Sequence, residues 1–190
     1  MGTEVLHEKP PLTRGVAWRA IGASMAATAR LLAKRRIHLP SDRVGQHLRF
    51  ADGTSARVYR ETVVDQPAPE EPCVLVVEFR LRGIRGKAHA AFRLESQLNT
   101  PLFVGFPGFI SKLWLAHDQQ DVYRGLYQWA SPALAERYAR CLWHALALVC
   151  ARDSIHYAVL PGLDRDELLC PPDGGHLGAE EEAAWWRVVA

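Results

Sequence analysis

Residues 73–81 read CVLVVEFRL, and the run stays apolar until Glu78 and Arg80. A strand this apolar on both alternations belongs at the centre of a sheet covered on both faces. Outward from it, apolar spacing predicts a first helix over 87–98, stopped by Pro101. Two strands follow, 109–117 and 122–129, with the polar run 117–121 (HDQQD) as their turn. Ser131-Pro132 opens a second helix over 132–150, since Ser can cap and Pro suits the first helical position. Residues 155–160 form the last strand. Strand–helix–strand–strand–helix–strand is the split βαβ order, and it sets the fold class as α+β with an antiparallel sheet.

Three regions follow from this reading. Residues 1–72 are an N-terminal extension: a helix over 14–36, a β-hairpin over 48–63 around Asp52-Gly53, and the proline-rich connector 65–72 (DQPAPEEP). Residues 73–162 are the main domain. Residues 163–190 are a tail, with a short helix expected over 180–189 and the adjacent Trp185-Trp186 expected to dock on apolar surface. In the N-terminal helix, Trp18, Ile21, Met25, Ala29 and Leu32 recur at helical spacing. Its many alanines make a shallow face that suits packing on protein better than a membrane surface. A four-stranded sheet with helices on one side leaves its other face bare. That face needs a partner sheet or an added segment, and the extension could supply one.

Composition excludes some functions. The 190-residue chain is 48% hydrophobic and 23% charged with a net charge of +2, too little to argue for nucleic acid. The polar, proline-rich start predicts no signal peptide, and no apolar run reaches the length of a membrane span. Cys73, Cys141, Cys150 and Cys170 form no CxxC pair and read as reduced thiols of a cytoplasmic protein. Walker, GxGxxG, HExxH and nucleophile-elbow motifs are absent, so phosphate, zinc and serine-hydrolase chemistries have no support.

The ribbon 109–129 (FISKLWLAHDQQDVYRGLYQW) and the strand at 154–162 (SIHYAVLPG), set in this βαββαβ order, resemble the dimeric α+β barrel superfamily. That superfamily includes the small antibiotic-biosynthesis monooxygenases. The resemblance covers about half the chain and rests on topology. It implies a ferredoxin-like subunit, a homodimer whose two sheets close as a barrel, and a pocket between sheet and helices. It also implies cofactor-independent oxygenation, cyclisation or isomerisation of an apolar polycyclic or polyketide-like compound. A non-catalytic dimeric scaffold is the other reading. Haem binding, through His144 on the second helix, is a minor third.

Several polar residues suit such a pocket. Glu95 lies on the edge of the apolar arc of the first helix, where burial would raise its pKa and make it a general base. His156, within the last strand, could move a proton. Lys112 alternates with Ile110 and Trp114 and could hold an enolate oxygen; equally, its stem could cover apolar surface while its head reaches water. Arg80 could stabilise negative charge, and Glu78 shares its side of the strand, where the two could also form a structural ion pair. Tyr123, Tyr127 and Trp129 share one strand face with Gly125 between them, a hollow suited to a flat ligand or to plain aromatic packing. Trp114 and Phe92 complete the expected substrate-binding wall.

Overall fold

The computed structural model of the chain describes residues 5–6, 8–83, 96–170 and 184–189. The helices are α1 (Arg14–Ala33), α2 (Pro132–Val149) and α3 (Arg165–Leu169). The strands are β1 (Ile37–His38), β2 (His47–Phe50), β3 (Ser55–Val64), β4 (Cys73–Arg80), β5 (Phe109–Leu115), β6 (Val122–Trp129), β7 (His156–Pro161) and β8 (Val188–Val189). A 3₁₀ segment spans Ser96–Leu102. The fold is α+β, with one curled antiparallel sheet in the order β7-β4-β6-β5-β3-β2-β8. Residues 87–95 of the helix expected over 87–98, Phe92 and Glu95 among them, lie outside the described residues.

The apolar strand sits where its composition demands. β4 pairs with β6 over eight residues, Cys73 opposite Trp129 through Arg80 opposite Val122, and with β7 on its other edge. Cys73, Val74, Leu75 and Val76 are each 0% exposed. The even and odd positions then build two cores. Leu75 and Val77 join Phe103, Phe109, Tyr127, Trp129 and Tyr138 beneath α1 and α2. Val74 and Val76 join Leu113, Leu126 and Leu160 on the opposite face.

That opposite face is covered from within the chain. Leu48, Phe50, Ala56 and Val58 of the hairpin, Leu168 and Leu169 of α3, and Val188 of β8 pack on it, flanked by Trp185 and Trp186. The case for a partner sheet built on a bare face therefore loses its premise. Arg165 fastens the cover: its guanidinium lies 2.8 Å from Glu61 and donates to Ser111, while its backbone N–H donates to Gln128. Val188–Val189 is a strand paired with β2, where a helix was expected. Its two valines favour extended backbone.

The N-terminal helix is turned from its expected face. Ala17, Ile21, Ser24 and Thr28 are buried, whereas Trp18, Met25 and Leu32 are 44%, 52% and 57% exposed. The small side chains let α1 lie against the loop at Gly105. A Cβ there would run into the Ser24 and Thr28 backbone, so close approach decides the orientation. No helix among the described residues is long and apolar enough to cross a membrane.

Leu126 is fully buried at the centre of the second core. Leu126→Ala is expected to cost about 2–5 kcal/mol, read as a lowered urea midpoint at unchanged slope.

Candidate functional site

A cavity of about 300 Å³ opens on the helical side of the sheet. Its floor is β5 and β6, which present Lys112, Trp114, Tyr123, Gly125 and Tyr127; its walls include Phe103, Tyr138, Leu142 and Leu146. The volume is at the small end of ligand sites, and the lining is mainly aromatic and aliphatic. Trp18, Leu148 and Val149 also border it, and all three are largely exposed. These residues carry the open side of the cavity toward solvent.

Strand register assembles the site. Lys112 stands opposite Tyr127 on β6 and opposite Thr62 on β3. Trp114, two residues on, faces Gly125 and Arg60. A Cβ on Gly125 would meet the Tyr127 ring at 2.8 Å and Lys112 Cε at 3.2 Å. The lysine stem and the tyrosine ring fill the space that the missing side chain leaves. A register shift between Val58 and Arg60 lets Tyr59 and Arg60 both reach Trp114. The Tyr59 ring is 6.2 Å away and the Arg60 guanidinium 5.2 Å above it. Trp114 Nε1 donates to Thr62 Oγ1 at 3.2 Å, which holds the indole in place.

Lys112 is only 7% exposed, so its head does not reach out to bulk water. Its Nζ sits 3.2 Å from the Trp114 centroid, 4.6 Å from Tyr127 and 4.7 Å from Phe103. No carboxylate among the described residues pairs with it. Burial, reinforced by the positive charge of Arg60, pushes its pKa well below the ordinary lysine value. Ring faces attract a cation but replace little of its lost hydration. Beside it, Tyr138 donates to the Tyr127 hydroxyl at 3.5 Å, and burial raises both phenols above their usual range.

The other sequence candidates lie elsewhere. Glu78 is on the opposite face of β4, 3.2 Å from Arg124, and burial raises its pKa against the pull of Arg124 and His156. Arg80 is exposed at the end of β4. His156 is part-exposed on β7, with Nδ1 3.1 Å from Glu8 and Nε2 3.0 Å from the Asp153 carbonyl. It is not among the cavity-lining residues. Trp129 packs on Tyr138 and Phe109 within the core, below the cavity. Tyr123 does line it, stacked on Phe79 at 5.8 Å. His144 Nε2 contacts the Leu12 carbonyl, and a cavity of about 140 Å³ lies beside it. That nitrogen is already engaged, so the position gives haem ligation no support. Among the described residues, no cluster of His, Cys, Asp and Glu could hold a metal ion.

Sequence reasoning missed Arg124, a buried hub whose guanidinium lies on the covered face of the sheet, against Phe50 and Asp52. It lies 2.6 Å from Asp52, 2.9 Å from Asp118 and 3.2 Å from Glu78, donates to Thr54, and sits 4.4 Å over Phe50. The signal was present: an arginine between Tyr123 and Gly125 in an alternating strand must point away from the aromatic face. Asp52 and Asp118 come from two turns, so the hub ties hairpin to sheet.

No protein-family model matches the chain, and no curated protein matches it. Among solved structures, one described as a major regulator of staphylococcal pathogenesis is similar over 58% of this chain and 69% of its own. The identity is 16% and the TM-score 0.38. A likeness so distant carries no argument about what this chain does.

Two predictions follow from the geometry. Arg124→Met leaves three carboxylates without their shared cation and is expected to cost about 3–5 kcal/mol, measured by chemical denaturation. Lys112→Met should raise the urea midpoint at pH 7. The folded chain binds fewer protons than the unfolded one between the lowered lysine pKa and the ordinary 10.5. Wild-type stability therefore rises with pH through that interval, and Lys112→Met should abolish the rise.

Proposed function

We propose that this protein is a small-molecule enzyme that moves a proton on a flat, apolar carbonyl compound held between β5, β6 and α2. One observation carries the reading: a buried lysine amine, without a carboxylate partner among the described residues, in an aromatic-walled cavity. Burial lowers the pKa of this amine, which moves it toward the range of a general base. Once protonated, it stabilises the enolate it has made. The aromatic faces of Trp114, Tyr127 and Phe103 fit a planar ring system better than a sugar or a peptide. Cyclisation and isomerisation need only such proton transfer. Polycyclic or polyketide-like ketones are the substrate class that fits shape and chemistry together.

Strand succession supports placing the main domain with ferredoxin-like subunits. Across β7, β4, β6 and β5 the main-domain strands run fourth, first, third, second, which is the succession the split βαβ order produces. The covered second face supports a subunit that carries its own lid, rather than one that borrows a neighbour's sheet.

The test is proton exchange at the α-carbon of 2-tetralone, a flat bicyclic ketone, followed by NMR in D₂O. The wild type should accelerate exchange, and Lys112→Met should lose about 100-fold or more of that acceleration. Exchange at the background rate with the wild type would refute enzymatic proton transfer. If 2-tetralone still quenched tryptophan fluorescence, the cavity would be a binding site without this chemistry.

A further inference from the structure

We infer that Lys112 Nζ forms a covalent imine with the carbonyl carbon of its ligand, so that the site takes aldehydes or ketones rather than carboxylic acids. The inference rests on the proposed cavity function and names the bond through which that function works. The geometry supplies three requirements of an amine nucleophile. The nitrogen is buried but borders a cavity of about 300 Å³. It is held by ring faces, which leave its lone pair free of a hydrogen-bond donor among the described residues. A second cation, Arg60, shares the Trp114 ring, and a neighbouring positive charge with an apolar wall is the setting that activates lysines.

A lysine kept for packing alone would extend its head to water. This one is 7% exposed, and its stem fills space that Gly125 leaves open. Arg60 from β3 is the charge acting on it, and the phenols sharing its cavity are Tyr59 from β3, Tyr123 and Tyr127 from β6 and Tyr138 from α2. None of these is a carboxylate, so no described ion pair holds the amine protonated.

The chemistry balances with protons exchanged with solvent water. The nitrogen lone pair forms the C–N bond, and the carbonyl π pair moves to oxygen. Oxygen gains the proton that nitrogen loses, giving a neutral carbinolamine. One proton taken from solvent joins the hydroxyl, and departure of water leaves the iminium, which acidifies the α-carbon; water accepts that proton as the enamine forms. Reprotonation at carbon from solvent restores an iminium, and addition of one water with release of one proton returns the free amine and the carbonyl product. No oxidant or reductant is consumed.

The chain contains four lysines, Lys9, Lys34, Lys87 and Lys112, so the site of attack can be mapped. The experiment treats the full chain at pH 7 with 2-naphthaldehyde and sodium borohydride, which reduces an imine to a stable secondary amine. Peptide mass mapping should place the adduct on Lys112 about 10-fold above Lys9 and Lys34. Competing 2-tetralone should suppress it, while 2-naphthoate, which cannot form an imine, should not trap. Lys112→Arg, which keeps a cation but cannot condense, should lose the adduct. Labelling spread evenly over the lysines would overturn the inference. Lys112-dependent tetralone exchange with no trapped adduct would overturn it while leaving general-base function standing. Absence of both would remove the proposed function as well.

Discussion

The structure depends on burying β4 from both sides. Its first four residues are wholly inaccessible, and neither face could meet water without exposing a row of aliphatic side chains. One face takes α1, α2 and the 3₁₀ segment. The other takes the hairpin, α3 and the terminal strand. The N-terminal and C-terminal segments are therefore parts of the core. They do for the second face what a partner sheet would do in a two-subunit barrel.

The same alternation separates two ways of burying charge. On the covered face, Arg124 meets three carboxylates and Arg165 meets Glu61 at 2.8 Å. Those contacts bind the hairpin and α3 to the sheet, and each cation has its counter-charge. On the helical face, Lys112 has ring faces and a nearby arginine. A fold that gives Arg124 and Arg165 carboxylate partners, and leaves Lys112 without one among the described residues, concentrates unfavourable electrostatics at a cavity.

Much of this was legible in the sequence. The apolar run at 73–80, the ribbon either side of 117–121, and Ser131-Pro132 each specify local structure without help from distant residues. The hairpin at Asp52-Gly53 does too. Period-two spacing put Lys112 with Trp114 and Tyr123 with Tyr127, each pair on one face of its strand, and cross-strand register joins the two pairs. What escaped was set by long-range packing. α1 buries Ala17, Ser24 and Thr28 rather than Trp18 and Met25, because backbone proximity to Gly105 outweighs side-chain hydrophobicity there. Residues 188–189 are too few to announce a strand and become one only through β2. Arg80 and His156 have suitable chemistry, but strand end and sheet edge carry them away from the cavity. Glu78 points through the sheet to Arg124.

The pairing of β2 with β8 has a kinetic consequence. Phe50 and Val188 are register partners far apart in the sequence, so the second face cannot close until residues 188–189 have paired with β2. High contact order slows folding. During that delay the aliphatic side of β4 and β6 stands uncovered, a surface on which unfinished molecules adhere to one another. Recovery from denaturant is therefore expected to fall as protein concentration rises.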